Sequence, residues 1–327
     1  MKRSARPTRA DVARLAKVST ATVSYVLNNV AGQRISPQTQ RAVREAAAAL
    51  GYRPNLAARN LVIGGSGLVL YIVPQMALGA LAMEVGSRLT TALARHGIVM
   101  SLQFETEDGA NIAEAIAGLD PIAVAGVFPL TGAALDLAGA AGLPQIHLGS
   151  ANLHTLAALH LEVGRLRVRH LLAHGHRRLG FAYSDDPKLR LFGDYWLEGL
   201  RVAARDHELP DPVVGEVGAD GANAAEIVRS WTERGVTAVC AQSDETAFVV
   251  LHGIRRAGLR CPQDLAVMGV DAIGLGIVSD PPLTTVGFRA AAIVDTAVDS
   301  MMSALGLPHE PAEEHGEFAI LIDRDSV

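Results

Sequence analysis

The sequence predicts a two-part molecule: an N-terminal all-α helix-turn-helix head, then an α/β core of two subdomains with parallel sheets. Three observations lead there. Charge is unevenly spread: residues 1–63 hold 11 Lys or Arg against 2 Asp or Glu, a net +9, and the remainder holds 18 against 32, a net −14. Helix caps punctuate the basic head at short intervals. After residue 67, short Val/Ile/Leu runs alternate with stretches of helical period. A chain of 327 residues, 49% hydrophobic and 19% charged, is too long for one ordinary core and apolar enough to fill several.

In the head, Thr8, which is also counted among the DNA-contacting residues, can cap a first helix with Asp11 in its first turn. Val12, Leu15 and Ala16 then fall on one apolar face. Ser19 caps a second helix, "TATVSYVL", in which Val23, Val26 and Leu27 point to one side. Ser36, Pro37 and Gly51 mark the cap, first position and end of a third. Two short helices separated by a tight turn form a helix-turn-helix, whose second helix lies in the DNA major groove. With its apolar side turned to the head core, that helix leaves Thr20, Ala21, Thr22, Ser24, Tyr25 and Asn28 outside. The small hydroxyl side chains suit phosphate contacts, while Thr20, Ala21 and Tyr25 can reach base edges. A basic head on an acidic body points to a polyanion partner for the head alone.

The core reads as buried parallel strands "LVLYIV", "IVMSLQF", "IAVAGVF" and "QIHL", then a second set, "RLGFAY", "VTAVCA" and "LAVMGV". Helices are expected between them, including 193–206, 223–234 and 245–257. Two such sets predict a cleft with ligand at the strand C-terminal ends. The apolar window Leu68 to Met83 is broken by Pro74 and Gln75, so a strand and a helix are expected there and no membrane partner. Cys240 and Cys261 are the only cysteines, which fits a reducing cytoplasm. The basic N-terminus lacks the apolar run of a secretory signal. No G-x-S-x-G, P-loop or G-x-G-x-x-G is found, and "HGHRR" brings no third metal ligand, so no enzyme, cofactor or metal is expected. "GGSG" at 64–67 reads as a flexible joint.

"DVARLAKVSTATVSYVLNN" followed by "RISPQTQRAVREAAAALGYRPNLAARNL" resembles the DNA-binding head and hinge of the lactose/galactose-repressor (LacI/GalR) family. That resemblance implies a hinge helix that orders when the dimer binds its operator, with Leu61 wedging into the minor groove. Tyr52, Asn55 and Ala58 match the same stretch, and Arg34 lies in a longer loop where it can add a contact. Farther on, "RHLLAHGHRRLGFAY", "TAVCAQSDETAFVVLHGIRRAGLRCPQDLAVMGVDA" and "PPLTTV" resemble the family's periplasmic-binding-protein-like core. By the resemblance, the head spans 1–53, the hinge helix and linker 54–66, and the effector-binding and dimerisation core 67–327. The N-subdomain holds about 67–158 and 288–316, and the C-subdomain about 159–287 and 317–327.

Effector positions follow from the same match. Asp271 corresponds to an acid that bonds effector hydroxyls or ring nitrogens, and Ser243 and Asp244 to an Asn-Asp pair. Arg190 lies near a family arginine, Trp196 stands where many members carry a clamping arginine, and His160 replaces an acid at the pocket mouth. Gln75, Met76 and Phe288 should line the cleft. Trp196 reads equally as a stacking platform or a core residue, and Asp271 as a ligand contact or a cap. The implied protein is a homodimeric repressor of a pseudo-palindromic operator, controlled by a small molecule, a sugar or sugar derivative. A regulator with a nucleoside effector or none, and a solute-binding module without regulation, are the alternatives.

Overall fold

The computed structural model describes residues 7–27, 35–52, 67–73, 80–106, 109–126, 130, 132–146, 158–311 and 316–327. It comprises two units, Met1–Gly67 and Leu68–Val327.

The first unit holds α1 (Arg9–Ala16), α2 (Thr20–Leu27) and α3 (Pro37–Leu50). Thr8 and Asp11 make a reciprocal capping box, with the Thr8 amide donating to Asp11 Oδ2 at 2.8 Å and the Asp11 amide to Thr8 Oγ1 at 3.3 Å. Each bond satisfies a donor that the first helical turn leaves open. Ser19 and Ser36 accept from the amides of Thr22 and Thr39 at 3.0 and 3.1 Å. Gly51 ends α3 in the left-handed region at φ 61°, and the Tyr52 amide bonds back to the Ala47 carbonyl at 2.9 Å, a C-terminal motif that favours glycine. The helices close over Val12, Ala13, Val23, Val26, Val43, Ala46 and Ala47. Leu15 departs from the expected apolar face and is 52% exposed. The buried stripe of α1 centres on Val12, Ala13 and Ala16, and Leu15 lies about 100° of helix rotation away from that centre.

The second unit is built on two sheets. One consists of β1 (Leu68–Val73), β2 (Val99–Phe104), β3 (Ala123–Gly126) and β4 (Gln145–Ile146), in the order β2-β1-β3-β4 and parallel throughout. Helices α4 (Ala80–Arg95), α5 (Ala110–Leu119) and α6 (Gly132–Ala140) alternate with these strands. The other sheet holds β5 (Leu179–Ser184), β6 (Val213–Val217), β7 (Ala238–Ala241), β8 (Ala266–Val270), β9 (Thr284–Phe288) and β10 (Ala319–Ile322), in the order β10-β9-β8-β7-β5-β6. All its pairings are parallel except that of β10 with β9. Its helices are α7 (Leu159–Ala173), α8 (Arg190–Asp206), α9 (Ala224–Glu233) and α10 (Asp244–Ala257). Strand β6 was not foreseen, because "VVGEV" interrupts its apolar run with Gly215 and Glu216.

Two details matter for the site. Helix α11 (Ala290–Ala304), between β9 and β10, packs against α4 beside the first sheet before the chain returns to the second. On return, the Glu162 carboxylate accepts the amides of Phe318 and Ala319 at 3.2 and 2.8 Å, fastening β10 to the first turn of α7. Helices α7 and α8 cross at Gly164 and Gly199, where a Cβ on either would collide with the backbone of the other helix.

Candidate DNA-reading face and effector site

On α2, the buried side is taken by Val23 and Val26, and Leu27 packs beside them. Thr20, Ala21 and Tyr25 are exposed, and Thr22 and Ser24 partly so. Their spacing of one, four and five residues puts them on one face. Thr22 also shares a hydroxyl bond with Ser19 at 2.9 Å, so it stiffens the start of the helix as well as facing outward. Thr8 is engaged in the α1 cap, and Tyr52 packs partly buried against the head core. Asn28, Arg34, Asn55, Ala58 and Leu61 lie outside the described residues.

In the core, β5 is flanked by β6 on one side and β7 on the other. The strand order therefore reverses between β5 and β7, the place where doubly wound sheets form a ligand crevice at their C-terminal ends. Tyr183, at the end of β5, donates its hydroxyl to Asp194 Oδ1 at 2.7 Å. Burial and that bond push its pKa up to about 12. Arg190, the first residue of α8, lays its guanidinium 4.1 Å above the Tyr183 ring and pairs with Asp194 and Glu216 at 3.5 and 3.1 Å. The cation is thus held over an aromatic face.

Asp271 follows β8 directly. Its φ of 110° lies where side chains rarely sit, a conformation costing on the order of 1–3 kcal/mol. The Asp271 amide donates to Val286 O at 2.9 Å, and the Ile273 amide donates to Asp244 Oδ2 at 2.8 Å; together these bonds hold the turn. Burial, then Asp244 and Glu245, push the Asp271 carboxyl well above the usual carboxylate range.

Several predicted effector contacts take structural positions. Asp244 is fully buried, and its other oxygen accepts from Thr285 Oγ1 at 2.6 Å; it braces the Asp271 turn rather than facing a ligand. Ser243 caps α10 through the Thr246 amide at 3.2 Å. Trp196 is 6% exposed and stacks on Phe288 with centroids 5.9 Å apart, which makes it a core residue and not an open platform. The His160 ring leans on Tyr195 at 4.6 Å. Gln75 and Met76 lie outside the described residues. Sequence reasoning passed over Arg167 and Gln242, both buried at the strand ends. The signal for Arg167 was present: it stands four residues after Val163 and four before Leu171, on the apolar stripe of α7. Among the described residues, no group of three or more His, Cys, Asp or Glu could hold a metal ion, and no helix is long and apolar enough to cross a membrane.

Residues 8–55 match the family model of bacterial regulatory proteins of the lacI family, and residues 168–327 a periplasmic binding protein-like domain. The transcriptional regulator CelR of Thermobifida fusca is 30% identical, with 88% of each chain covered. The chain belongs to the lacI family. The regulator GalS of Salmonella typhimurium is 29% identical over 97% of this chain and 95% of its own. Among solved structures, the lac repressor dimer bound to operator and an anti-inducer has the same fold, with TM-score 0.75 and 22% identity over 98% of both chains. A CelR–cellobiose complex matches with TM-score 0.60 at 23% identity, over 98% of this chain and all of its own. This lacI-family chain is a DNA-binding transcriptional regulator, and its relatives are regulators rather than enzymes.

Proposed function

We propose that the chain is a homodimeric repressor that reads a pseudo-palindromic operator and is switched by a sugar or sugar derivative at the strand ends of the second sheet. The observation that carries it is α2: an uncharged helix turns Thr20, Ala21 and Tyr25 outward from a basic three-helix head. Basic residues around it supply affinity, and this face supplies selection. Operator contacts are assigned to Thr8, Thr20, Ala21, Thr22, Ser24, Tyr25 and Asn28, to Arg34 between α2 and α3 in the sequence, and to Tyr52, Asn55, Ala58 and the minor-groove wedge Leu61 after α3 in the sequence. Such a regulator acts on DNA in the cytoplasm. The reading of a solute-binding module without regulation is set aside by the family match.

For the effector, the support is the reversal of strand order between β5 and β7, where such sheets bind ligands at their C-terminal ends, with Tyr183 and Arg190 at the end of β5 and the strained Asp271 turn at the end of β8. For the dimer, it is exposed apolar surface. Val99, Leu102 and Phe104 are 42%, 41% and 68% exposed on β2, an edge strand. Leu275, Ile277 and Val278 are 63%, 62% and 76% exposed after β8. Edges and patches of this kind are normally covered, and the two-fold symmetry of a dimer matches operator palindromy.

Gel shifts against candidate promoter fragments, with sedimentation to read the oligomer, test the reading. A sequence-specific shift at moderate salt by a dimer is expected. Equal binding to palindromic and scrambled DNA would overturn it.

A further inference from the structure

The lacI-family match covers residues 8–55, so the ligand of the head is DNA. Within it, α2 runs from Thr20 to Leu27 as TATVSYVL. None of these side chains carries a formal charge, an amide or a ring nitrogen. In the major groove, guanine is picked out by bidentate Arg or Lys, adenine by bidentate Asn or Gln, and cytosine by Asp or Glu. No side chain of α2 can make any of those pairings. Asn28 and Arg34, which have the chemistry for them, lie outside the described residues.

Packing decides what α2 turns outward. Val23 and Val26 are buried in the head core, and Leu27 packs beside them. Thr20 and Ala21 are exposed, and Tyr25 is 38% exposed. Tyr25 follows Ala21 by four residues, so its ring stands one turn on beside the same strip. The Thr22 hydroxyl is already shared with Ser19 at 2.9 Å, and the Thr22 amide donates to Ser19 Oγ at 3.0 Å. The outward strip therefore offers two methyl groups, on Thr20 and Ala21, and one aromatic ring. Apolar groups in water gain by meeting other apolar groups. Of the features that base pairs present in the major groove, the C5-methyl of thymine is the apolar one.

We infer that α2 reads thymine methyls: the methyls of Thr20 and Ala21 meet the C5-methyls of T·A pairs in each half-site, and the Tyr25 ring covers them from the next turn. The inference rests on the operator reading above and narrows it to a class of half-site. Rejection works through the same contacts. A C·G pair in that place lacks the methyl and sets the cytosine amino group against an apolar side chain, which leaves a desolvated donor unbonded.

The test uses the full-length protein and a pool of duplexes with random inverted-repeat half-sites, selected at moderate salt. Enriched duplexes are remade with deoxyuridine in place of thymidine, one position at a time in both half-sites. Uracil pairs as thymine does and keeps its acceptor, so only the methyl is lost. At T·A pairs met by α2, binding is expected to weaken about fourfold for each methyl removed, the worth of one buried methylene-sized group. Thr20→Ser and Ala21→Gly each remove one protein methyl, and each should bring the thymine-to-uracil affinity ratio at its own pair close to one. A loss of head stability alone would lower binding to both duplexes and leave that ratio in place. Thermal melts show that each variant is folded. If duplexes enrich but deoxyuridine is neutral at every position, the inference falls while the operator reading stands. If the ratio is unchanged in both variants, other side chains meet the methyls and the inference also falls. If no duplex enriches, the operator reading falls and takes the inference with it.

Discussion

Hydrogen bonds in the head join near neighbours, whereas those at the strand ends of the core join residues far apart in the chain. Thr8 with Asp11, Ser19 with Thr22 and Ser36 with Thr39 each span three residues. In the core, Asp244 reaches Ile273 and Thr285, Arg167 reaches Ala241 and Gly269, and Glu162 reaches Phe318 and Ala319, the last across 156 and 157 positions. The head therefore sets its geometry turn by turn with exposed caps of modest individual strength. The core sets it with a few buried polar groups, each shared by several elements and costly to leave unpaired.

Substitutions of decreasing severity sharpen that contrast. Asp244→Ala leaves the Ile273 amide and the Thr285 hydroxyl without a buried acceptor and should cost on the order of 3 kcal/mol. Urea unfolding followed by tryptophan fluorescence reads it directly, since Trp196 and Trp231 both lie in the core. A loss as small as that of a surface cap would break the comparison. Gly164→Ala drives a methyl into the Gly199 carbonyl at the α7–α8 crossing, for about 2 kcal/mol in the same assay. In the head, Ser36→Ala removes the α3 cap and should cost about 1 kcal/mol, measured by far-ultraviolet circular dichroism during denaturation.

The smallest effect has the opposite sign. Burial, Asp244 and Glu245 hold the Asp271 carboxyl well above its ordinary value of 3.8, so the folded protein binds that proton more tightly than the unfolded chain does. The resulting penalty is absent below the unfolded value and grows as the pH rises toward the folded one. Asp271→Asn removes it. The variant should melt slightly above the parent protein at pH 8, and the gap should close toward pH 4. An unchanged or lower melting temperature at pH 8 would show that the carboxylate is better accommodated than its surroundings imply.

The same contrast explains what was legible. Thr8, Ser19, Ser36, Pro37 and Gly51 announce helix ends within a few residues of themselves, so the head could be read helix by helix. Leu15 was misplaced because the facing surface of α3, not the period of α1 alone, decides which side is covered. In the core, the Val/Ile/Leu runs marked most strands, and Asp271 could be put at a strand end from its position after "LAVMGV". Its brace by Asp244 was not visible, because nothing near residue 244 indicates that Ile273 and Thr285 will arrive there. Arg167 looked like one more basic residue in "GRLRVRH" until the fold turned it inward, and Trp196 gained its stacking partner from Phe288, 92 positions away in the sequence.

The excursion of α11 from β9 to the neighbourhood of α4, and the return of β10 to the second sheet, have a practical consequence for anyone cutting this gene. The strands of the first sheet follow one another in the chain, but α11, which packs beside that sheet, is inserted between the last two strands of the second. A fragment ending after α10 would lack α11 against α4 as well as the edge strand that Glu162 fastens. From Leu68 onward the protein is therefore a single cassette for recombination: it can be exchanged whole behind a different head, but not halved.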